Sequence, residues 1–509
     1  MVSQSKRKIL LLFSGLILLF GLTLYDVFFY SYSFAVNSDN MYFVHAAEDV
    51  LSGNILLRNW NGGYFTALTG DILWAAVLRT FLSQKAVLYL IGPLACSLIA
   101  LFSLLILNQG QGKSTDWKSL LLLLPVIFIP SALRHAMMTV GMHAVAIAYI
   151  LILVWLLGEM ELRSPDKRKV QAITYVILLW AGCLADGFVL YYFAFPAILA
   201  LVVKDFRKNK PLLILTVLGA LAGTFSIQLL NSFGFLQTES TPLSLVTIEN
   251  LGHYLLNAIR TWFLIFGWDI SSQSASAGSL ISGITGGFAA ITVMVLFVLA
   301  AIRFFQKDTA TRVLLLSLIL NFGSFTFTNV TWGEPAVRYL SPAFFTGVLV
   351  AAKTLLSWQP QKNWQRMLVS LPLFLFALGN VSITYHTAPV NNQAYVEIGD
   401  ALKDRGVKSL YATYWETHAL SYYAGEQFVS APIMTRYDTV IPYRWSSKKD
   451  WYEAGFGANC ILVSQNKKYG LSEKKIVDQF GPYREHLSFN ETDMYFYDKN
   501  LSVLISDAE

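Results

Sequence analysis

Apolar runs about twenty residues long recur through the first three quarters of this 509-residue chain. A run of that length matches the hydrocarbon thickness of a bilayer when coiled as a helix, and helices are the way such a run satisfies its own backbone in lipid. Residues 9–29, 86–107 and 280–305 are the clearest cases. Charged residues make up only 14% of the chain, against about 25% in soluble domains. The basic residues collect in short loops between the apolar runs, which sets an orientation. Lys6, Arg7 and Lys8 hold the start of the first helix in the cytoplasm, so the loop after it faces outward. That helix has no small-residue cleavage site and reads as uncleaved.

Residues 120–130 and 142–157 bracket a polar break, SALRHAMMTVG, and 171–203 divides at Asp186-Gly187 into two short passes. Basic KDFRKNK precedes a pass over 212–230. Residues 231–279 read as a long outer loop with interfacial helices, and further passes follow at 313–328, 340–356 and 367–385. Residues 65–82 carry Asp71 and Arg79 and lie at the interface without crossing. The count is roughly eleven passes at the usual helix length.

Residues 386–509 are a different material, with dense charge and short apolar runs. Helical stretches at 394–404 and 472–479 alternate with strand-like SLYATYW, QFVSAPI, CILVSQ, DMYFYD and LSVLI. The expected architecture is a polytopic α-helical membrane domain over 1–385, with an outer loop at 31–64, followed by a soluble extracytoplasmic α/β domain over 386–509.

Several function classes drop out. Three cysteines make no disulfide framework and have no zinc spacing; Cys96 and Cys183 read as packing residues and Cys460 as part of a buried strand. There is no Walker or Rossmann fingerprint. No basic stripe interleaved with exposed aromatics marks a nucleic-acid surface.

The outward-facing polar groups form one set. The loop at 31–64 supplies Asp39, Asn40, His45, Glu48 and Asp49. The later outer segments supply Arg134, His135, His143, Asp186, His253, Arg260, Asp269, Glu334 and Arg338. Ionisable groups at membrane level are costly and usually face a cavity or a partner. Each also has a structural reading. Ser38, Asp39 and Asn40 stand where a helix beginning near Met41 needs its cap. Asp186 beside Gly187 can shape a turn, and Arg338 can snorkel to the interface.

In carrying Asp39-Asn40-Met41-Tyr42, then Leu51-Ser52-Gly53-Asn54 and Arg338-Tyr339-Leu340-Ser341-Pro342, the chain resembles the GT-C glycosyltransferases that use polyprenyl-phosphate sugars, such as the aminoarabinose transferases and protein O-mannosyltransferases. The resemblance implies sugar transfer from a lipid phosphate to an acceptor hydroxyl on the outer face. Asp39 would be the general base of an inverting displacement. Arg338 and Arg134, with Arg260 behind them, would bind the donor phosphate. His143, His135, Asp186, Glu334, Tyr42 and Asn40 would line the site or hold a divalent cation. The first acidic motif of the family is commonly Asp-Glu, whereas Asn40 stands second here. The fourth-helix acid of the family is replaced by Met142-His143-Ala144, which leaves the cation open.

Three other classes compete: an O-antigen polymerase or ligase, a lipid or glycan transporter, and an inert scaffold carrying the terminal domain. A transporter would favour internal repeats and midplane charges, and here the charges are biased to one face. A bacterial inner membrane fits the compact loops and an acceptor such as lipopolysaccharide, while Asn-x-Ser/Thr sites at Asn329, Asn380 and Asn490 point the other way.

Overall fold

The computed structural model describes residues 21, 36–109, 117–164, 168–239, 244–269, 277–331, 336–358, 363–384, 393–425, 428–453, 458–464, 470–489 and 491–506. Apart from Gly21, the first helix expected at 9–29 lies outside the described residues, as does the candidate Glu334. The chain forms two compact units. One holds Met1–Ser31, Tyr89–Ser226 and Thr241–Ala388; the other holds Tyr32–Leu88, Ile227–Ser240 and Pro389–Glu509.

The first unit is helical. Six helices among the described residues are long and apolar enough to cross a membrane: Gln84–Leu107, Ala144–Leu162, Phe206–Ser232, Gly283–Ile302, Thr309–Phe327 and Val337–Ser357. This is a multi-pass membrane protein. The six are fewer than the roughly eleven passes expected from run length. The halves of 171–203 form the shorter helices Lys169–Ala185 and Gly187–Val203, parting at Asp186. The stretch before Met138 is cut into Trp117–Leu122, Leu124–Ile127 and Ser131–Met138. The expected polar break at Arg134 and His135 is thus a short helix. KDFRKNK, expected as a loop, is helical and joins the stretches 187–203 and 206–232, so that Phe195–Ser232 is one continuous α-helix. Tight packing in this unit uses small residues. A Cβ added at Gly286 would stand 1.7 Å from the Phe266 carbonyl oxygen, so only glycine fits that helix crossing.

The second unit is built around a six-stranded mixed sheet. Its strands are β2 (Ser409–Ala412), β3 (Val429–Arg436), β4 (Thr439–Pro442), β6 (Asn459–Ser464), β7 (Glu485–Phe489) and β8 (Thr492–Tyr497). Their order is β4-β3-β2-β6-β8-β7. A separate two-residue ladder pairs β1 (Trp60–Asn61) with β5 (Ser447–Lys448), setting Trp60 opposite Lys448. Successive residues of a strand point to opposite faces, and here both faces are covered. Leu410, Ala412, Cys460, Leu462, Met494 and Phe496 share one core, while Tyr411, Ile461, Val463, Tyr495 and Tyr497 share another.

Two expected strands change character. Tyr414 and Trp415 of SLYATYW open a helix, Tyr414–Tyr423, because the strand stops at Ala412. LSVLI forms the helix Ser502–Ser506, with Leu501 and Ile505 four apart in the core. A short apolar run does not by itself separate strand from buried helix.

Candidate active site

The helix Ser38–Leu51 begins earlier than its apolar pattern indicates. Asn37 is its N-cap. The Asn37 side chain accepts from the Asn40 backbone N–H at 3.2 Å, and the Asn40 side chain accepts from the Asn37 N–H at 3.0 Å. This reciprocal box satisfies two of the donors that a helix start leaves open. Asn40 is thereby occupied in shaping the helix. Asp39 stands in the first turn, where the helix dipole favours a negative charge. It is half-buried.

The second unit supplies its partner. The Tyr414 hydroxyl donates to Asp39 Oδ1 at 2.6 Å. Among the described residues Asp39 Oδ2 accepts no hydrogen bond. Burial pushes the Tyr414 hydroxyl well above its usual value, with the Asp39 charge adding to the effect, so it remains a donor. Ser38 Oγ donates to the Tyr414 carbonyl and accepts from the His418 backbone N–H at 3.3 Å. The Ser38–Leu51 and Tyr414–Tyr423 helices are therefore stapled at Asp39.

One turn on from Tyr414 lies His418, fully buried. Its Nε2 stands 3.1 Å from the Ser446 carbonyl and its Nδ1 3.2 Å from Nδ1 of His45. A carbonyl can only accept, so His418 carries its proton on Nε2 and accepts from His45 at Nδ1. Burial, aided by His45, lowers the His418 pKa from 6.5 to about 3. Tyr42 sits in the core, its ring 5.6 Å from Trp60, and its hydroxyl has no hydrogen-bond partner among the described residues. It packs the helix and does not face an open site.

The first unit gathers a second set. His143, in a left-handed conformation with φ 70°, caps the Ala144–Leu162 helix. Its Nδ1 lies 2.6 Å from Asp186 Oδ2, and its ring stacks on Phe188 at 4.0 Å. Asp186 Oδ1 accepts from the Phe188 N–H at 2.9 Å, so one carboxylate both caps the following helix and orients the histidine. Arg338 is half-buried beside Tyr339, with its guanidinium 4.8 Å from the ring centre and Nη2 donating to the tyrosine hydroxyl at 2.9 Å. Met142 Sδ is 3.7 Å from Nη1. Tyr339 in turn lies 6.1 Å from His143, so His143, Asp186, Phe188, Arg338 and Tyr339 form one cluster. No carboxylate pairs with Arg338 among the described residues. The backbone that follows it is held by Asn321, whose side chain donates to the Tyr339 carbonyl at 2.8 Å and accepts from the Ala343 N–H at 2.9 Å.

Arg134 is spent differently. It is 6% exposed and donates to the carbonyls of Ile129 at 3.4 Å and Asn380 at 3.2 Å. It ties backbone together. His135, its neighbour, is exposed. Arg260 is half-buried on the Ile248–Ile265 helix and makes no hydrogen bond or ion pair among the described residues. No three His, Cys, Asp or Glu side chains gather at a metal-binding spacing among the described residues, and Glu334 lies outside them. His143 and Asp186 offer two ligands and already bond each other.

Tyr414, His418, Phe188 and Tyr339 were not singled out by sequence. Tyr414 lies 375 residues from Asp39, and no local spacing signals such a pair. Tyr339 was legible only as part of the Arg338-Tyr339-Leu340 run.

No protein-family model matches this sequence, and no curated protein matches it. Solved structures do. ArnT from Cupriavidus metallidurans, bound to undecaprenyl phosphate, superposes with a TM-score of 0.56 at 11% identity, covering 94% of this chain and 97% of that one. The archaeal oligosaccharyltransferase AglB from Archaeoglobus fulgidus, in complex with an inhibitory peptide and a dolichol-phosphate, gives 0.51 at 12% identity over 88% of this chain and 69% of that one. Both are GT-C membrane glycosyltransferases. At such identities the likeness is one of fold, and it is the fold that the Asp39 and Arg338 motifs indicated.

Proposed function

We propose that this protein is a membrane glycosyltransferase that moves a sugar from a polyprenyl-phosphate donor to an acceptor hydroxyl. The observation that carries the reading is the state of Asp39, with one carboxylate oxygen held by Tyr414 and the other open among the described residues. The structural neighbours' lipid phosphates support the donor class.

The acceptor O–H gives its proton to Asp39 Oδ2 as its oxygen attacks the anomeric carbon. The bond from that carbon to the phosphate oxygen breaks, and the polyprenyl phosphate leaves with the electron pair. One base and one displacement invert the centre. A nearby carboxylate also stabilises the oxocarbenium-like transition state. Arg338, with no carboxylate partner among the described residues, is assigned to the phosphate, whose oxygens suit a guanidinium fork. Tyr339 and the oriented His143 line that position. Residues 1–385 are the membrane domain in this reading. The 31–64 segment and 386–509 face outward, the membrane being a bacterial inner membrane.

The donor half is tested by binding alone. Native mass spectrometry of the detergent-solubilised protein with undecaprenyl phosphate is expected to show a bound lipid. Arg338→Ala weakens it by about tenfold or more, the scale of one hydrogen bond to a charged group. Arg338→Lys retains the charge and loses less. Equal binding by all three removes Arg338 from the phosphate.

Tyr414→Phe tests the positioning of the base. The ring remains and the 2.6 Å bond is lost. Transfer is expected to fall by about tenfold in kcat, the equivalent of one charge-assisted hydrogen bond, with the donor KM unchanged. A change in KM alone would show that Tyr414 acts on binding instead.

A further inference from the structure

The second unit contains a cavity of about 280 Å³ that the transfer chemistry does not use. It opens beside the later turns of the Ser38–Leu51 helix, between His45, Glu48 and the β5 residue Lys448, with Trp451 as a wall. That volume lies just under the range of small-molecule pockets. The lining has a definite chemistry. Asp49 organises one side: Oδ2 accepts from Trp60 Nε1 at 2.7 Å and from Asn54 Nδ2 at 2.6 Å, and Oδ1 lies 3.1 Å from Lys448 Nζ. Lys448 is shared with Asp450 at 3.5 Å. The cation is thus already neutralised, and an anionic ligand has nothing to pair with.

Two acceptor and donor positions are left over. Glu48 Oε1 takes hydrogen bonds from Arg79 Nε at 2.9 Å and Gln84 Nε2 at 2.7 Å, while Oε2 takes none among the described residues. Ser421 lines the cavity at 5% exposure, and its hydroxyl has no partner among the described residues. The hydroxyl is open to the cavity, where a ligand hydroxyl can replace the water that completes it. Trp451 adds a flat apolar face, half-buried.

An open carboxylate oxygen, a serine hydroxyl open to the cavity, an indole face and, among the described lining residues, no lysine or arginine without an acidic partner match a neutral polyol ring. Its hydroxyls donate and accept, and its C–H face packs on an indole. We propose that this cavity binds a neutral saccharide unit of the acceptor glycan, an assignment that rests on the transferase reading. His45 and Asp49 follow Asp39 by six and ten residues, which at the helical rise places them about 9 to 15 Å along the axis from the base. The bound unit is therefore remote from the reacting hydroxyl. It orients the acceptor through binding energy spent away from the chemistry.

The test needs no donor and no turnover. The full-length protein, in a detergent without a sugar headgroup, is titrated with glucose, galactose, N-acetylglucosamine and their disaccharides at millimolar concentration by saturation-transfer NMR. At least one probe is expected to bind. Ser421→Ala deletes a hydroxyl that makes no hydrogen bond among the described residues, so the fold is kept, and it is expected to weaken that probe by about tenfold, or about 1.4 kcal/mol. Trp451→Ala abolishes the signal, with thermal melting used to confirm folding. No binding by the wild type, or binding indifferent to both substitutions, overturns the proposal. If transfer from a lipid-phosphate donor persists under that result, the transferase reading stands and only the subsite falls.

Discussion

Asp39→Asn is expected to abolish most sugar transfer while leaving the protein folded and the lipid donor bound. Asparagine has the same shape, and its Oδ1 still accepts the Tyr414 hydroxyl that now holds Asp39 at 2.6 Å. The Asn37–Asn40 capping box does not involve the Asp39 side chain, so the helix start is unaffected. What disappears is the capacity to take a proton. A positioned general base contributes on the order of 10² to 10⁴ in rate, and kcat is expected to fall by that factor. Loss of the negative charge near the anomeric carbon acts in the same direction. The measurement is transfer of labelled sugar from a polyprenyl-phosphate donor in proteoliposomes, with undecaprenyl-phosphate binding measured in parallel. Retention of near-normal transfer would remove Asp39 as the base. Loss of lipid binding together with transfer would show that the substitution had damaged more than the base.

The sequence made the membrane architecture legible because the signal is long. Twenty apolar residues leave few alternatives, and Gln84–Leu107 and Thr309–Phe327 lie close to the runs that announced them. Short signals were less secure. Four or five apolar residues served equally for strand β6, which they form, and for residues 501–505, which coil instead. The break at Arg134 misled for a different reason. A charged residue marks a polar segment only while its charge meets water, and Arg134 instead satisfies two carbonyls from inside the unit.

The candidate site divides in the same way. Asp39 and Asn40 were visible as a dense polar motif at a helix start, and Asn40 does shape that start, although the cap falls on Asn37. The contact that gives Asp39 one held and one open oxygen comes from Tyr414, beyond any local window. His143 and Asp186 each stood out alone. Their mutual bond, 43 residues apart in sequence, depends on two helix starts meeting.

His418 leads to a result that requires no substrate. In the folded protein its pKa is lowered from 6.5 to about 3 by burial and by His45, whose Nδ1 proton it accepts. In the unfolded chain it titrates near its ordinary value. Below that value the unfolded state binds a proton that the folded state refuses, so stability is complete above pH 6.5 and is lost as pH falls toward about 3. The slope for one such group is about 1.4 kcal/mol per pH unit. Carboxylates titrate mainly below about pH 5, so the upper part of the window isolates histidine. Thermal melting of the solubilised protein at a fixed scan rate is therefore expected to show a flat midpoint above neutrality and a decline from pH 6.5 to 5. His418→Gln can keep the donation to the Ser446 carbonyl and cannot take a proton. It is expected to melt lower at neutral pH, through poorer packing against Trp451, and to lose much of the decline below it. An unchanged slope in His418→Gln would place the acid sensitivity on other groups and would mean that His418 does not remain neutral in the fold.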